Sequence, residues 1–143
     1  MLIGISPVIS PDLLYTLHTM GHGDTLVLAD AHFPGSSSNP RVVRADGLSV
    51  AMLLEGILPL VTLDSYVPAP LAMMAPAVGD EADPEVERAF RSVVDRFYPG
   101  TPKVEHIARS DFYNRAHAAF AVVMTGETAR YGNLIVTKGV TPV

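Results

Sequence analysis

The chain has 143 residues, which suits one domain, and we assign residues 1–143 to a single domain. Although 48% of the residues are apolar, no apolar run reaches the ~18–20 residues needed to span a bilayer, so a membrane partner is not expected. The net charge is −5 and the basic residues do not cluster, which argues against a nucleic acid partner. The absence of cysteine excludes disulfides, thiolate catalysis and cysteine-ligated zinc.

The start of the chain has no basic segment followed by a long apolar one, so it does not resemble a signal peptide. We therefore expect a cytoplasmic protein. The high apolar content also predicts that a partner subunit covers part of the surface.

The first half of the chain predicts two helices around a buried strand. Ser10 can cap a helix that starts at Pro11 and ends near Gly21, and residues 25–29 form an apolar run typical of a buried strand. Residues 35–40 are rich in turn formers and predict a loop. A short strand over residues 41–44 and a helix over residues 49–60 follow, with Met52, Leu53, Gly56 and Ile57 facing inward.

The second half alternates strands and helices. The most regular helix opens at Asp83-Pro84-Glu85 and ends at residues 98–100, and Ser110 can cap a shorter helix through Ala116. Strands are predicted over residues 71–78, 104–108, 119–124 and 134–137. This alternation predicts an α/β layered sandwich.

Polar residues flank the strand at residues 25–29 on both sides. His22 and Asp24 precede it, and Asp30 and His32 follow it. A rise of roughly 3.3 Å per residue places His22 and Asp30 ~20 Å or more apart in an extended chain. The two groups can therefore share a site only if the chain turns back at the glycines or if a neighbouring subunit supplies one of them.

His22 lies between two glycines, which permit close approach of a ligand. An imidazole with a reference pKa of ~6.5 is suited to proton transfer near neutral pH. The alternative is that Gly21 only ends the helix and His22 faces solvent.

Asp30 could accept hydrogen bonds from sugar hydroxyls, or it could be a turn aspartate that bonds its own backbone. His32 could be a second acid/base group or could support the loop. His22, Asp24, Asp30 and His32 are acceptable metal ligands, yet no two histidines have the spacing of a His-Glu-x-x-His helix. We therefore favour acid/base chemistry without a metal or other cofactor.

The last candidates lie near the C-terminus. Arg109 could reach a ligand oxygen or form a surface ion pair, and Tyr131-Gly132-Asn133 could bind sugar hydroxyls or form an ordinary turn. Arg44-Ala45-Asp46-Gly47 predicts a salt-bridged turn. There is no glycine-rich phosphate loop and no Gly-x-Ser-x-Gly elbow, so nucleotide binding and serine hydrolase chemistry lose support.

Taken in order, several segments closely resemble the ribose pyranase/fucose mutarotase family. Almost the whole chain is covered, and the His-Phe after Asp30-Ala31 and the Arg-Ala-Asp-Gly turn resemble the fucose branch. The segments are Met20-Gly21-His22-Gly23-Asp24, Asp30-Ala31-His32-Phe33-Pro34, Arg44-Ala45-Asp46-Gly47, Leu63-Asp64-Ser65-Tyr66, Asp83-Pro84-Glu85-Val86-Glu87-Arg88, Tyr131-Gly132-Asn133 and Lys138-Gly139-Val140-Thr141-Pro142.

The resemblance implies a three-layer α/β sandwich with a mixed sheet, assembled into a ring-like homo-oligomer, often a decamer, with sites between subunits. It implies that the protein interconverts the α and β anomers of a free monosaccharide, most simply L-fucose, without a cofactor. His22 matches the family's proton donor. The positions that match sugar-binding residues are Asp30, Arg109, Tyr131, Gly132 and Asn133.

Three other functions stay open on sequence alone. A non-catalytic sugar-binding or transport-associated protein would use the same Asp, Tyr and Asn without needing His22. A pyranase would act on ribose instead. A metal-dependent hydrolase or isomerase would gather His22, Asp24, Asp30 and His32 around one ion.

Overall fold

The computed structural model describes all of residues 1–143, and its first helix forms as its sequence predicts. In α1 (Pro11–Thr19), Oγ of Ser10 accepts the N–H of Leu13 at 3.1 Å and caps the first turn. The other end is capped by Lys138, whose ammonium donates to the carbonyls of Leu17 and Met20 at 2.9 and 2.6 Å. The loop at Gly21 is thereby tied to the C-terminal segment.

The centre of the protein is one six-stranded sheet with the order β2-β5-β1-β6-β3-β4. Every strand pair is parallel except the two formed by β6, which runs antiparallel to both β1 and β3. This confirms a single-domain α/β fold with a mixed sheet. The strands are β1 (Thr25–Ala29), β2 (Val42–Ala45), β3 (Leu71–Met74), β4 (Glu105–Ile107), β5 (Ala121–Thr125) and β6 (Leu134–Thr137).

Helices pack on both faces of the sheet because successive strand residues point to opposite sides. Within β1, Leu26 and Leu28 join one apolar cluster, whereas Val27 and Ala29 join the other. The first cluster contains α1, α3 and α4, and the second contains α5 and packs next to α2. These helices are α2 (Gly35–Ser38), α3 (Val50–Ile57), α4 (Pro84–Phe97) and α5 (Arg109–Ala118).

Two local predictions were wrong. Residues 35–40 are not all loop, because Gly35 starts the one-turn helix α2 and packs so tightly that a Cβ there would lie 2.4 Å from Sδ of Met124. Ser110 is not the cap of α5. That helix begins one residue earlier, at Arg109, and its N-cap Ala108 makes no side-chain hydrogen bond.

Two further predictions differ from the structure, the end of one strand and the direction of one side chain. β3 ends at Met74 rather than at residue 78, since Pro76 cannot donate to a ladder. Met52, predicted to face inward, is 45% exposed because Leu53, Leu54 and Ile57 form the buried face of α3. None of the helices combines the length and apolar character needed to cross a membrane.

Candidate functional site

A cavity of about 470 Å³ opens where β1 ends and the segment before β6 begins. Because β6 runs antiparallel to β1, the start of β6 lies beside the end of β1, which brings Asp30 next to Asn133. The lining combines ionisable, amide and apolar side chains: Asp30, His32, Phe33, Met74, Asp80, Arg109, Tyr113, Arg130, Tyr131 and Asn133. Four of the five sugar-binding positions predicted from the resemblance therefore meet here.

Asp30 is the deepest acid of the cavity, with 5% of its surface exposed. Its N–H donates to Oδ1 of Asn133 at 2.7 Å, and its own Oδ1 accepts the N–H of His32 at 2.9 Å. Burial raises the pKa of the Asp30 carboxyl, and the hydrogen bond from the His32 backbone opposes that rise. Asp30 is thus held in place by two hydrogen bonds while it lines the cavity.

Gly132 does not line the cavity, but its backbone conformation positions the two residues beside it, Tyr131 and Asn133, which do. A Cβ at this position would lie 2.8 Å from the carbonyl oxygen of Ala129 and 2.8 Å from Cγ of Glu127. Only glycine fits this packing without displacing the backbone. Gly132 therefore places Tyr131 and Asn133 at the cavity rather than contacting a ligand through a side chain.

Arg109 lies at the rim of the cavity, at the first residue of α5. Its guanidinium carbon is 5.2 Å from the ring centre of Tyr113, and its side chain forms no ion pair. The surface ion pair that the sequence left open is therefore absent. Its guanidinium N–H groups have no hydrogen-bond partner within the chain and lie at the cavity.

One wall of the cavity is apolar. Phe33 is 6% exposed and packs edge-on against Phe112 and at 5.2 Å, ring centre to ring centre, against Tyr113. Met74, from the end of β3, completes this wall. The cavity therefore offers hydrogen-bonding groups on one side and a carbon-rich surface on the other, which is the pattern of a small polar ligand with one apolar face.

His22 lies away from this cavity, at the opposite end of β1. Its Nε2 is 3.1 Å from Oδ1 of Asp64, and its ring lies 5.2 Å from the ring centre of Tyr66. Asp64 is buried, and the backbone N–H of Tyr66 and then His22 hold the pKa of its carboxyl below the ordinary value. Asp64 is therefore ionised at neutral pH and accepts a hydrogen bond from the imidazole.

The glycines beside His22 do not turn the chain back toward the cavity. The N–H of Gly23 donates to the carbonyl of Lys138 at 2.9 Å, and the N–H of Lys138 donates to the carbonyl of Asp24 at 2.9 Å. These bonds extend the β1–β6 pairing back to Gly23, the residue next to His22. Within one protomer, His22 and Asp30 consequently occupy separate places, and the chain reversal at the glycines that the sequence allowed does not occur.

The distance along β1 between these groups also argues against the metal-dependent alternative. His22 and Asp24 lie before β1, whereas Asp30 and His32 lie after it, so the four candidate ligands do not surround one point. No group of three or more His, Asp or Glu side chains is arranged to hold a metal ion.

Residues 3–141 match the RbsD/FucU transport protein family. The chain belongs to this family. An L-fucose mutarotase of Actinobacillus pleuropneumoniae serotype 5b (strain L20) is 57% identical to it over 143 residues, which cover 100% of this chain and 99% of that protein. An L-fucose mutarotase of Haemophilus influenzae (strain 86-028NP) is 52% identical with the same coverage. Among solved structures, the fucose mutarotase of Streptococcus pneumoniae in complex with L-fucose superposes with a TM-score of 0.92 at 42% identity, over 99% of this chain and 100% of that chain.

The RbsD/FucU match spans both the cavity and the His22–Asp64 pair. Sequence reasoning did not identify Asp64, although Leu63-Asp64-Ser65-Tyr66 was among the segments that carried the resemblance. It also missed Asp80, which lies on the loop after β3 and reaches the cavity only through tertiary structure. Phe33 and Met74 were not predicted to line a site, because an apolar cavity wall has no separate signal in sequence.

Proposed function

We propose that this protein is a mutarotase that interconverts the α and β anomers of L-fucose. The observation that carries the proposal is the cavity around Asp30, in a chain that is 57% identical over its whole length to a protein named L-fucose mutarotase. The chain also superposes on a fucose mutarotase solved with L-fucose bound. The reaction class is isomerisation of a free monosaccharide.

The cavity suits a monosaccharide with several hydroxyls. The Asp30 carboxylate accepts hydroxyl hydrogens, and the guanidinium of Arg109 donates to hydroxyl oxygens. Oδ1 of Asn133 is already engaged by the Asp30 N–H, so its amide nitrogen is the group left to donate. We assign sugar binding to Asp30, Arg109, Tyr131 and Asn133, with Gly132 as their structural support.

The Asp64 pairing determines which nitrogen of His22 does chemistry. An ionised carboxylate only accepts hydrogen bonds, so the neutral imidazole carries its hydrogen on Nε2 and leaves Nδ1 as the base. Ring opening removes a proton from the anomeric hydroxyl and delivers one to the ring oxygen. His22 Nδ1 takes the proton of the anomeric hydroxyl, and the imidazolium so formed gives it to the ring oxygen, which is bonded to the same carbon, C1. After rotation about the C1–C2 bond, closure reverses the transfer: His22 takes the proton from the C5 hydroxyl and returns it to the new anomeric oxygen. One proton thus moves each way through His22, and no metal or redox step is needed by the reaction itself.

We propose that the complete site forms between two subunits of a ring-like homo-oligomer, with His22 from one subunit facing the cavity of the next. Exposed apolar side chains border both half-sites: Tyr66 beside His22 and Val78 in the loop that carries Asp80 are 78% and 107% exposed. Such residues gain most from burial against another chain. A decameric ring and a cytoplasmic location remain predictions.

Saturation-transfer NMR on L-fucose tests the function directly, because it reads the exchange rate between anomer signals at equilibrium. We expect the wild-type protein to accelerate exchange and His22→Ala to lose roughly 10²–10⁴ of that acceleration. A wild-type protein that binds L-fucose without accelerating its exchange would establish the non-catalytic sugar-binding function instead, and a His22→Ala protein that exchanges L-fucose at an accelerated wild-type rate would contradict the role of His22. Exchange of D-ribose in the same assay would reveal pyranase activity. If the protein keeps its activity after a chelator has removed metal ions, the metal-dependent alternative is excluded.

A further inference from the structure

The phenol of Tyr131 is held by two groups of the loop that connects β3 to α4. Its hydroxyl donates to Oδ2 of Asp80 at 2.7 Å and accepts the N–H of Ala77 at 3.2 Å. Oδ1 of Asp80 in turn accepts the N–H of Glu81 at 2.9 Å and the guanidinium of Arg130 at 3.1 Å. The loop after β3 and the loop before β6 are therefore tied together at the rim of the cavity.

This pairing determines what Tyr131 can offer to a ligand. A phenol has one hydrogen, and here that hydrogen goes to Asp80. One oxygen lone pair is occupied by the N–H of Ala77, which leaves the other lone pair as an acceptor. The bond from Tyr131 also keeps the pKa of the Asp80 carboxyl below its ordinary value, so the carboxylate stays ionised and cannot donate back.

The backbone of Tyr131 also needs external support. Its φ of 58° makes it the one non-glycine residue in the left-handed region, which is unfavourable for a bulky aromatic side chain. The Asp80 and Ala77 bonds hold the far end of that side chain. They therefore stabilise a conformation that the residue would not keep alone.

We propose that Asp80 is a positioning residue of the sugar site, which fixes the Tyr131 phenol so that it presents an acceptor to a hydroxyl of L-fucose. This inference rests on the proposed function, since it requires that Tyr131 contacts the sugar. Asp80 acts through Tyr131 and not through its own charge.

A double-mutant cycle tests whether Asp80 acts through the phenol. Asp80→Ala and Tyr131→Phe are each expected to lower kcat/KM for L-fucose anomer exchange by about tenfold, the upper end of what one neutral hydrogen bond to the sugar contributes. In the Tyr131→Phe background, Asp80→Ala is expected to have an effect of less than about twofold. Asp80→Asn keeps an acceptor oxygen for the phenol and should recover most of the rate.

The matched control is Glu81→Ala, which removes the same charge from the adjacent residue, whose side chain forms no hydrogen bond. It should retain the wild-type rate. The proposal is overturned if Asp80→Ala costs the same factor with and without the Tyr131 hydroxyl, or if Asp80→Ala leaves exchange unchanged.

Two further readouts separate this inference from the proposed function. If the wild-type protein does not accelerate exchange, the proposed function fails, and the same cycle is then read on L-fucose affinity by NMR titration. If Asp80→Ala unfolds, as its melting temperature would reveal, Asp80→Asn and Tyr131→Phe carry the comparison. Equal affinities in Asp80→Asn, Tyr131→Phe and wild type would contradict the inference.

Discussion

Nε2 of His22 lies 3.1 Å from Oδ1 of Asp64. This pair is at one end of β1, and the cavity lined by Asp30 is at the other end. Asp64 is 4% exposed, whereas the side chain of His22 is 46% exposed. The carboxylate is therefore anchored inside the protomer and holds an imidazole that faces outward. This arrangement places a base with a defined tautomer on the outside of one protomer, where a second protomer can meet it.

Replacing the Asp64 carboxylate should release the tautomer of His22. The amide of Asp64→Asn can donate as well as accept a hydrogen bond, so it no longer holds the imidazole hydrogen on Nε2, and we expect the L-fucose exchange rate at neutral pH to drop by about tenfold. The ¹⁵N NMR shifts of the His22 ring and the exchange assay measure the two effects. Asp46→Asn, which removes an exposed carboxylate paired with Arg44, is the control and should change neither. A His22 ring that keeps its hydrogen on Nε2 in Asp64→Asn, with an unchanged exchange rate, would contradict the assignment.

Asp30→Asn should separate stability from activity. Burial raises the folded-state pKa of Asp30, so the ionised carboxylate disfavours the folded state as pH rises above the unfolded value of ~3.9. The amide keeps the acceptor for the His32 N–H but carries no charge. We therefore expect Asp30→Asn to melt higher than wild type at pH 7, to match it near pH 3, and to bind L-fucose more weakly. Thermal unfolding at both pH values measures this, and a lower melting temperature at pH 7 would contradict it.

The apolar wall of Phe33 and Met74 should favour a methyl group over a hydroxymethyl group on the sugar. L-Fucose, L-galactose and D-arabinose share the same ring hydroxyls and differ only in carrying a methyl, a hydroxymethyl or a hydrogen at C5. We expect L-fucose to exchange ~4-fold faster than D-arabinose, the worth of one buried methyl group, and roughly tenfold faster than L-galactose.

Met74→Gln should reduce the preference for L-fucose over L-galactose, because the amide offers the extra hydroxyl a partner. Met52→Gln makes the same change at an exposed methionine of α3 and should leave the preference intact. If the exchange rates of the three sugars stand in the same ratio in wild type and in Met74→Gln, this wall does not contact C6 of the sugar.

Gly132→Ala should disturb the site through the backbone. The added Cβ meets the Ala129 carbonyl oxygen at 2.8 Å, so we expect a loss of about 1–3 kcal/mol in the free energy of unfolding together with weaker L-fucose binding. Gly100→Ala is the control, since a Cβ there has no atom within 4 Å. Urea denaturation of both variants gives the comparison. Equal destabilisation in the two would contradict a specific role for the close contact at Gly132, since Gly→Ala by itself lowers the entropy of the unfolded chain and does not destabilise the fold.

Local features of the fold were predictable because the residues that produce them are adjacent in sequence. Ser10 and Pro11 predict the start of α1, and the apolar run of residues 25–29 coincides with β1. The one-turn helix α2 was not predictable, since its Gly35 packs against Met124, which lies far away in the chain. The order of the strands in the sheet could not be predicted from the sequence pattern either, because the antiparallel placement of β6 depends on contacts across the whole sheet.

The site divides in the same way. Asp30 and Asn133 were predicted as sugar-binding residues by resemblance, and the β1–β6 pairing explains why they meet. Asp64 and Asp80 were missed because each is linked to the site by a hydrogen bond with a residue more than 40 positions away, His22 and Tyr131 respectively. A single carboxylate in a loop carries no such signal in sequence.

The most direct test of the account is complementation between two variants that each damage one half of the proposed site, measured at an L-fucose concentration at which the weaker sugar binding of Asp30→Asn leaves little exchange. His22→Ala and Asp30→Asn are co-expressed with different tags, purified through both tags, and assayed for L-fucose anomer exchange. If each site combines His22 of one subunit with the cavity of its neighbour, random mixing restores about a quarter of the wild-type rate per site, since one site in four receives both native residues. Exchange that stays at the level of the separate variants in such mixed assemblies would contradict the shared site.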